Sequence, residues 1–227
     1  MNKGFVIAID GPVASGKGTL AALLSEKLNG FYLYTGAMYR SVALLCLEKG
    51  LNIKDEESVK RVLTQANFEF KGIKVFLNGK DVTERIKEPD IASAGSIIAT
   101  YSSVREDLVR KQQEIGLRIV EDGIIVVAEG RDTATKVFPK AEVKIFLTAT
   151  PGVKAKRRLN QYKEKGIEKS YNEVLSEINL RDKSDSERKI SPLVPAKDSI
   201  KIDTTNDRIE DTFKKVMEVL KKKGLYE

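Results

Sequence analysis

Residues 5–28, FVIAIDGPVASGKGTLAALLSEKL, predict a strand, a glycine-rich loop and a helix in direct succession. The apolar run Phe5–Asp10 is typical of a short buried strand, and Gly11–Gly18 is a loop of small residues. Leucines then recur on one side of a helix over Thr19–Asn29. Such a loop wraps backbone N–H groups around a phosphate at the helix N-terminus, and Lys17 reaches the β- and γ-phosphates. The sequence therefore predicts a nucleoside triphosphate site.

The loop departs from the general phosphate-loop pattern at one position. Gly18 stands where a Ser or Thr usually follows the lysine, and Thr19 comes one residue later. An ordinary glycine-rich turn is the alternative, but the strand before it and the amphipathic helix after it favour phosphate binding. We therefore expect ATP here, with Mg²⁺ to neutralise the transferred phosphate. The predicted donor-binding residues of the loop are Gly11, Val13, Ala14, Ser15, Gly16, Lys17, Gly18 and Thr19.

The rest of the chain alternates between strand and helix patterns, which favours an α/β fold with a mostly parallel central sheet. Continuous apolar runs at Ile124–Ala128 and Val143–Leu147 are typical of strands that helices cover on both faces. Short strand-like pieces within 67–82, with an Asn-Gly hairpin signal, predict a small antiparallel insert. Helical patterns then fill about 90–122. We expect one three-layer domain over residues 1–227.

Composition excludes several classes of protein. The 227 residues contain no histidine and one cysteine, Cys46, so no Ser-His-Asp or Cys-His catalytic site, intrachain disulfide or zinc cluster is expected. The apolar run before Asp10 is too short for a signal peptide, and no stretch reaches the ~20 apolar residues of a membrane span. We therefore expect a cytoplasmic protein. The net charge of +7 implies an anionic partner: nucleic acid, membrane or a phosphorylated small molecule.

Pieces spread along the chain match one known family in order. They are IDGPVASGKGT (9–19), TGAMYR (35–40), SVRE (103–106), EGRD (129–132), VKIFL (143–147), RRL (157–159), the spaced Arg181, Asp185 and Arg188, and PLVPA (192–196). The chain resembles the bacterial cytidylate kinases, and its Gly-Lys-Gly-Thr loop is the form that nucleoside monophosphate kinases carry. The resemblance implies a P-loop kinase fold and transfer of the γ-phosphate of ATP to CMP or dCMP.

The acceptor phosphate needs hydrogen-bond donors, and the resemblance assigns this role to Thr35, Arg40 and Arg131. Arginine suits the role because its planar fork binds oxyanions bidentately and never loses its charge. Arg131 directly follows an apolar strand, at the carboxyl end where ligands of open α/β sheets bind. Taken singly, each arginine also fits a surface ion pair, and the motif context favours the phosphate.

Recognition of cytosine depends on donors and acceptors. The base offers an N4 amino donor and acceptors at N3 and O2. A carboxylate should therefore face N4, and hydroxyl or guanidinium donors should face N3 and O2. Asp132, Arg105 and Ser96 match the family positions that do this. A salt bridge from Asp132 to Arg131, or a helix cap, fits the residues alone equally well.

The resemblance places an acceptor-nucleotide insert at about 60–100 and a lid at about 154–190. Two solvated helix faces are the alternative for the charged residues of the lid, and this suits most of its lysines. Arg157 and Arg158 match arginines of the donor phosphate or lid. Arg181, Asp185 and Arg188 match contacts to the pentose and base of the acceptor, and their i, i+4 and i+7 spacing puts them on one helix face.

Catalysis needs no histidine, because the attacking oxygen belongs to a phosphate monoester with a second pKa of ~6 and is already anionic at neutral pH. The predicted catalytic residues are Lys17, Arg131, Arg158 and Asp132. Glu129 or Asp10 would act on Mg²⁺ through bound water, or Asp10 would only cap. We name no direct protein ligand to the metal, and the shift of the hydroxyl from position 18 to Thr19 leaves open a direct contact from Thr19.

The chain departs from the family pattern at three places. Tyr34 and Glu129 each stand where the family has an aspartate, and Thr133-Ala134 replaces an apolar residue and a glycine. These departures bear on local geometry, rate and base preference.

The residues leave two alternatives to a CMP kinase. One is a P-loop kinase for another small acceptor, such as UMP, AMP, shikimate or dephospho-coenzyme A. The other is a basic nucleic-acid-binding NTPase, which the lack of basic stretches interleaved with aromatic residues disfavours. We expect a monomer that binds no nucleic acid and no membrane.

Overall fold

A computed structural model describes residues 4–227. In chain order the strands are β1 (Val6–Asp10), β2 (Phe31–Tyr34), β3 (Phe68–Lys71), β4 (Lys74–Leu77), β5 (Lys80–Asp81), β6 (Val126–Gly130), β7 (Val143–Thr148) and β8 (Ile200–Asp203). The helices are α1 (Lys17–Lys27), α2 (Thr35–Glu48), α3 (Glu56–Leu63), α4 (Pro89–Ile98), α5 (Ser102–Glu121), α6 (Pro151–Glu164), α7 (Tyr171–Glu187) and α8 (Ile209–Lys222). A 3₁₀ turn spans Arg85–Lys87 and a π-helical turn spans Thr133–Val137.

Five strands form one parallel sheet in the order β2-β6-β1-β7-β8. The prediction of an α/β fold with a mostly parallel sheet is confirmed. β1 lies in the centre, where Asp10 pairs with Gly130 on one side and with Phe146 on the other. The carboxyl ends of these strands meet at one edge, which is where ligands bind in open α/β sheets.

The sheet carries helices on both faces. Ile7 and Ile9 of β1 pack in a cluster with residues of α1 and α8, whereas Val6 and Ala8 pack on the opposite side. Partly buried residues of α5 cover that second side. This alternation follows from the two-residue period of a strand and produces the predicted three layers.

The small antiparallel sheet, in the order β3-β4-β5, confirms the predicted insert. Asn78 and Gly79 connect β4 to β5, and both have positive φ, as a tight hairpin between twisted strands requires. Val75 and Leu77 point from this sheet into an apolar cluster shared with α2, α3 and α4.

α6 and α7 form an antiparallel pair that packs mainly on itself. Ala155 and Tyr162 of α6 contact Val174 and Ile178 of α7, and Val13 of the glycine-rich loop packs against this cluster. α7 begins with a capping box in which Ser170 accepts from the Glu173 N–H and the Glu173 side chain accepts from the Ser170 N–H.

Several predicted bounds differ from the structure. The helical stretch expected over about 90–122 is two helices, because Tyr101 is extended (φ −79°, ψ 127°) and its hydroxyl donates to the Ile53 carbonyl at 3.0 Å. The strand predicted from Ile124 begins at Val126. Within residues 4–227, no helix has the length and apolar character needed to cross a membrane.

Candidate active site

The glycine-rich loop has the backbone that close approach to an anion needs. A Cβ on Gly11 would lie 2.3 Å from the Leu147 carbonyl oxygen, so a side chain cannot fit there. Gly16 has φ +97° and precedes α1, which begins at Lys17. Ala14 adopts φ +54°, a conformation uncommon for a residue with a side chain. This backbone leads directly into the N-terminus of α1, whose first N–H groups have no partner within the helix.

Lys17 lies almost fully buried at the base of this loop, where its ammonium donates to the Pro12 carbonyl at 2.7 Å. Burial, together with the nearby charge of Arg131, lowers the pKa of Lys17 to about 7, and Glu129 partly opposes this shift. A buried ammonium with a depressed pKa gains strongly from an anion placed beside it. The site is thus electrostatically prepared for a phosphate.

A cavity of about 520 Å³ connects this loop to an arginine-rich region between α2, α4 and α7. Most of the predicted site residues line it: Val13, Ala14, Gly16, Lys17, Gly18, Thr19, Thr35, Arg40, Arg105, Arg131, Asp132, Arg158, Arg181, Asp185 and Arg188. One space therefore joins the two groups of residues that the sequence assigned to donor and acceptor.

Four predicted residues lie away from the cavity wall. Gly11 and Ser15 form the buried back of the loop. Ser96 turns back on its own helix and donates to the Ala92 carbonyl at 3.2 Å. Arg157 faces the other side of α6 and donates to the hydroxyl and the carbonyl of Thr204, at 2.9 and 2.6 Å. In this structure Ser96 and Arg157 hold backbone groups and do not face a ligand.

Asp185 is the centre of one charged network. Its carboxylate accepts from Arg131 Nε at 2.7 Å and from Arg181 Nε at 3.3 Å, and Arg188 lies 4.0 Å away. Burial favours the neutral acid, but Arg131 and then Arg181 outweigh it and hold the pKa of Asp185 at about 2. Three guanidinium groups around one carboxylate leave a net positive site, as an incoming phosphorylated ligand requires.

Asp132 is the centre of a second network. It forms a buried ion pair with Arg105, and Arg188 lies 3.9 Å from its other oxygen. The Arg105 guanidinium also lies 5.4 Å from the centre of the Tyr39 ring. The salt bridge to Arg131 that the residues alone allowed is absent, since Arg131 pairs with Asp185. The Asp132 side chain makes no capping bond, although its carbonyl accepts from the Lys136 N–H at 2.8 Å.

Asp10 is a structural cap. Its two carboxylate oxygens accept from the N–H groups of Thr133 and Ala134 at 2.8 and 2.7 Å. Because Asp10 is buried, its pKa rises to about 6, and these two backbone bonds partly oppose that rise. Between the two roles that the sequence allowed, the geometry supports capping.

Thr35 lines the cavity, but its hydroxyl already donates to the Glu129 carbonyl at 2.7 Å. Gly130 follows Glu129, and a Cβ on Gly130 would lie 2.4 Å from the Thr35 hydroxyl oxygen. A side chain at position 130 would therefore displace this hydroxyl. Thr35 therefore ties α2 to the end of β6. To touch an acceptor phosphate as a donor, it would have to give up this bond.

Three residues that line the cavity were not predicted as site residues from the sequence: Tyr34, Tyr39 and Lys87. The signal for Tyr39 was available, because it lies inside the TGAMYR piece. Tyr34 places its ring 5.5 Å from the Arg40 guanidinium carbon, and Lys87 approaches from the turn before α4.

Within residues 4–227, the buried Tyr39 hydroxyl, Arg105 Nε and one Arg188 nitrogen have no hydrogen-bond partner. Buried polar atoms without a partner are costly, so these three groups indicate where a polar ligand binds.

The parallel sheet, the phosphate loop and the arginine-lined cavity together define a P-loop kinase. The model of the family described as "Cytidylate kinase" matches residues 7–222. The cytidylate kinase of Bacillus subtilis is 43% identical over 228 residues, covering 99% of this chain and 100% of that protein. The cytidylate kinase of Thermosipho melanesiensis is 46% identical over 217 residues, covering 96% of this chain and 97% of that protein. The chain belongs to the cytidylate kinase family.

A solved structure gives the same fold independently of sequence. An uncharacterized protein from Eubacterium ventriosum superimposes with a TM-score of 0.53 over 97% of this chain and 99% of its own, at 15% identity. This similarity concerns the architecture alone.

Proposed function

We propose that the protein transfers the γ-phosphate of ATP to CMP or dCMP and releases ADP with CDP or dCDP. The observation that carries this proposal is the single cavity that opens at one end on the phosphate loop and at the other on two buried arginine–carboxylate networks. The first end suits a nucleoside triphosphate, and the second suits a smaller nucleotide with one phosphate. Membership of the cytidylate kinase family supports the same reaction.

The residues of the cavity supply alignment and charge rather than proton transfer. The acceptor phosphate enters as an anion, so no base has to activate it. Lys17 and the loop N–H groups hold the donor phosphates, while Arg40 and Arg131 hold the acceptor phosphate. Arg158, which lines the cavity from α6 and stacks 4.4 Å from the Tyr162 ring centre, is placed to neutralise charge during transfer.

Asp132 is the base-reading group in this proposal. A carboxylate facing the N4 amino group of cytosine accepts from it, whereas uracil presents an acceptor at the same position. Arg105 holds Asp132 in place and also supplies donors toward the ring acceptors. Arg181, Asp185 and Arg188 then face the pentose and base from α7. Ser96 and Arg157 are left out of this assignment, because their polar groups contact backbone carbonyls.

Mg²⁺ suits this site because most of its ligands would be phosphate oxygens and water molecules rather than protein side chains. Among residues 4–227, no three His, Cys, Asp or Glu side chains lie close enough together to hold a metal by themselves. Mg²⁺ is commonly bound by one or two carboxylates plus substrate phosphates and waters, and it neutralises phosphate charge when bound. Glu129 fits that need, because it is 5% exposed, is the next-to-last residue of β6, and accepts one long bond, 3.5 Å from the Tyr32 hydroxyl. The hydroxyl-bearing Thr19 of the loop also lines the cavity.

The two smaller parts of the chain have separate roles in this proposal. Residues of about 60–100 carry Lys87 and Ala92 to the acceptor side of the cavity, and residues of about 154–190 carry Arg158 and Asp185 to its other side. We propose that the first part closes on the acceptor and that the second closes on both nucleotides. Both belong to one proposed domain over residues 1–227, of which residues 1–3 lie outside the described part. Closure excludes water and so suppresses ATP hydrolysis.

A monomer in the cytoplasm, with no nucleic acid as partner, completes the proposal. One chain supplies both ends of the cavity. The arginines of the site line this cavity, whose volume suits small phosphorylated ligands. A basic surface for nucleic acid would instead give an affinity for RNA that falls steeply with salt.

An acceptor panel tests the proposal. The purified protein, with ATP and Mg²⁺, is assayed on CMP, dCMP, UMP, AMP and shikimate by release of ADP. We expect CMP and dCMP to give the highest kcat/KM. Preference for UMP, AMP or shikimate would overturn the base assignment. Salt-sensitive RNA binding without phosphate transfer to CMP would favour the nucleic-acid-binding alternative.

A further inference from the structure

Asp182 of α7 makes a direct contact with the phosphate loop. One carboxylate oxygen accepts from the Val13 N–H at 3.2 Å, and the other forms an ion pair with Lys154 of α6. Lys154 is buried, so this pair is not a loose surface contact. The Val13 side chain packs against the apolar cluster between α6 and α7. The lid helices therefore contact this loop residue through its backbone and its side chain.

The same helix also contacts the acceptor end of the cavity. Asp185, three residues beyond Asp182, accepts from Arg131 Nε at 2.7 Å. Arg181 donates to the Ala92 carbonyl of α4 at 3.4 Å. A separation of three residues is about 4.5 Å along a helix axis. One turn of α7 thus contacts both the loop that surrounds the donor phosphates and the arginine that faces the acceptor phosphate.

α7 is one continuous helix of 17 residues. Its N-terminus is fixed by the capping box at Ser170, and its apolar face packs on α6 through Val174 and Ile178. An acceptor phosphate at Arg131 adds an anion beside Asp185 and changes the balance of charges that holds this turn of the helix. Any shift of α7 at Asp185 is transmitted to Asp182, because the two residues share a continuous helical backbone.

We propose that Asp182 is a positioning residue that couples acceptor binding to the phosphate loop. Acceptor binding sets the position of α7. Asp182 then sets the orientation of the Val13 peptide, and the loop in that orientation binds the donor phosphates more tightly. Coupling of this kind is reciprocal, so ATP must increase the affinity for CMP by the same factor. This inference rests on the proposed function in taking CMP as the acceptor.

Paired variants isolate the Val13 contact from the buried charges. Asp182→Leu with Lys154→Met removes both charges and the acceptor of the Val13 N–H. Asp182→Asn with Lys154→Met removes the same charges but keeps an amide oxygen for that N–H. Replacing a buried ion pair by apolar residues is often neutral for stability, so the Leu variant should fold. The Asn variant keeps the shape of the aspartate and the bond to the Val13 N–H, and circular dichroism checks the fold of both. Glu187→Ala, an exposed change on the same helix, is the control.

The measurement is calorimetric binding of a non-hydrolysable ATP analogue with and without CMP, and the reverse titration. We expect CMP to tighten analogue binding in the wild type by at least ~5-fold, the lower end of common coupling factors. The factor should fall to near one in the Leu variant, and remain in the Asn variant and in Glu187→Ala. Equal factors in the two paired variants, or no coupling in the wild type, would overturn the proposal.

A second measurement uses the unmodified protein. Hydrogen exchange followed by mass spectrometry should show slower exchange in the loop peptide containing Val13 when CMP alone is added. Unchanged exchange there, with CMP bound, would contradict the inference. If CMP binds and is phosphorylated but neither measurement shows coupling, only this inference fails. If CMP does not bind at all, the proposed function fails first.

Discussion

Replacement of Asp132 by Asn tests the base-reading role more cleanly than truncation does. Asp132→Ala would leave Arg105, which is 3% exposed, without its buried counter-charge and would mix a folding defect with any change in specificity. Asparagine keeps the shape and one oxygen, so Arg105 retains an acceptor. At the same time the variant offers an N–H₂ group, which matches O4 of uracil instead of N4 of cytosine.

The magnitudes follow from these contacts. A well-formed base contact discriminates by about 1–3 kcal/mol, which is roughly a 5- to 140-fold change in a ratio of kcat/KM values. Breaking a buried ion pair costs about 3–5 kcal/mol, and we expect the lower end because Arg105 also donates to the Ala99 carbonyl at 3.1 Å. A loss of about 3 kcal/mol lowers Tm by about 6–12 °C in a chain of this size.

The assay compares kcat/KM for CMP and for UMP at saturating ATP, well below the lowered Tm. The ratio of CMP to UMP should fall in Asp132→Asn, while KM for ATP stays unchanged. Asp107→Asn, a half-buried aspartate of α5 that pairs with Arg110 outside the cavity, is a matched control that should leave the ratio as in the wild type. A proportional loss on both acceptors would mean that Asp132 only supports the fold and does not read the base.

Two further changes give clear expectations. Lys17→Met should lower kcat by at least roughly 10²–10³-fold with the circular dichroism spectrum preserved, because the proposed reaction uses this buried ammonium to hold the donor phosphates; wild-type turnover would refute the loop assignment. Asp10 has a folded-state pKa of about 6 against 3.8 in the unfolded chain, so its contribution to stability is fullest below pH 3.8 and is lost as pH rises to about 6. Asp10→Asn should remove this decline in denaturation midpoints across pH 4–6.5, and an unchanged pH profile would contradict the burial argument.

The phosphate loop was predictable because its information is local. A strand, a glycine-rich turn and a helix lie in one continuous stretch, and the structure places them within two residues of the predicted bounds. The small antiparallel sheet was predictable for the same reason, since its turns carry an Asn-Gly signal. Where the sequence pattern lacked a strong breaker, as before Tyr101, the division between α4 and α5 was missed.

Side-chain partners were much less predictable, because they depend on distant contacts. Asp10 caps a turn more than 120 residues away, a pairing that the parallel alignment of β1 with β6 creates. Arg157 and Arg158 are neighbours in sequence, yet one faces Thr204 and the other the cavity, since adjacent residues of a helix point about 100° apart. A motif identifies both arginines but does not tell which face of α6 each one occupies.

The two departures from the family pattern at Tyr34 and Glu129 are explained by the strand register. The residues are direct partners on β2 and β6, so the chain replaces two short acids by one longer acid and one ring at a single point of the sheet edge. The ring supports Arg40 at 5.5 Å, and a carboxylate at that position would instead compete with the acceptor phosphate for this guanidinium. Asp10 accepts from two backbone N–H groups, whereas the buried Glu129 carboxylate accepts only one long bond from the Tyr32 hydroxyl and lines the cavity. The exchange thus places a ring that contacts Arg40 and a buried carboxylate side by side at the end of the sheet, where both line the cavity.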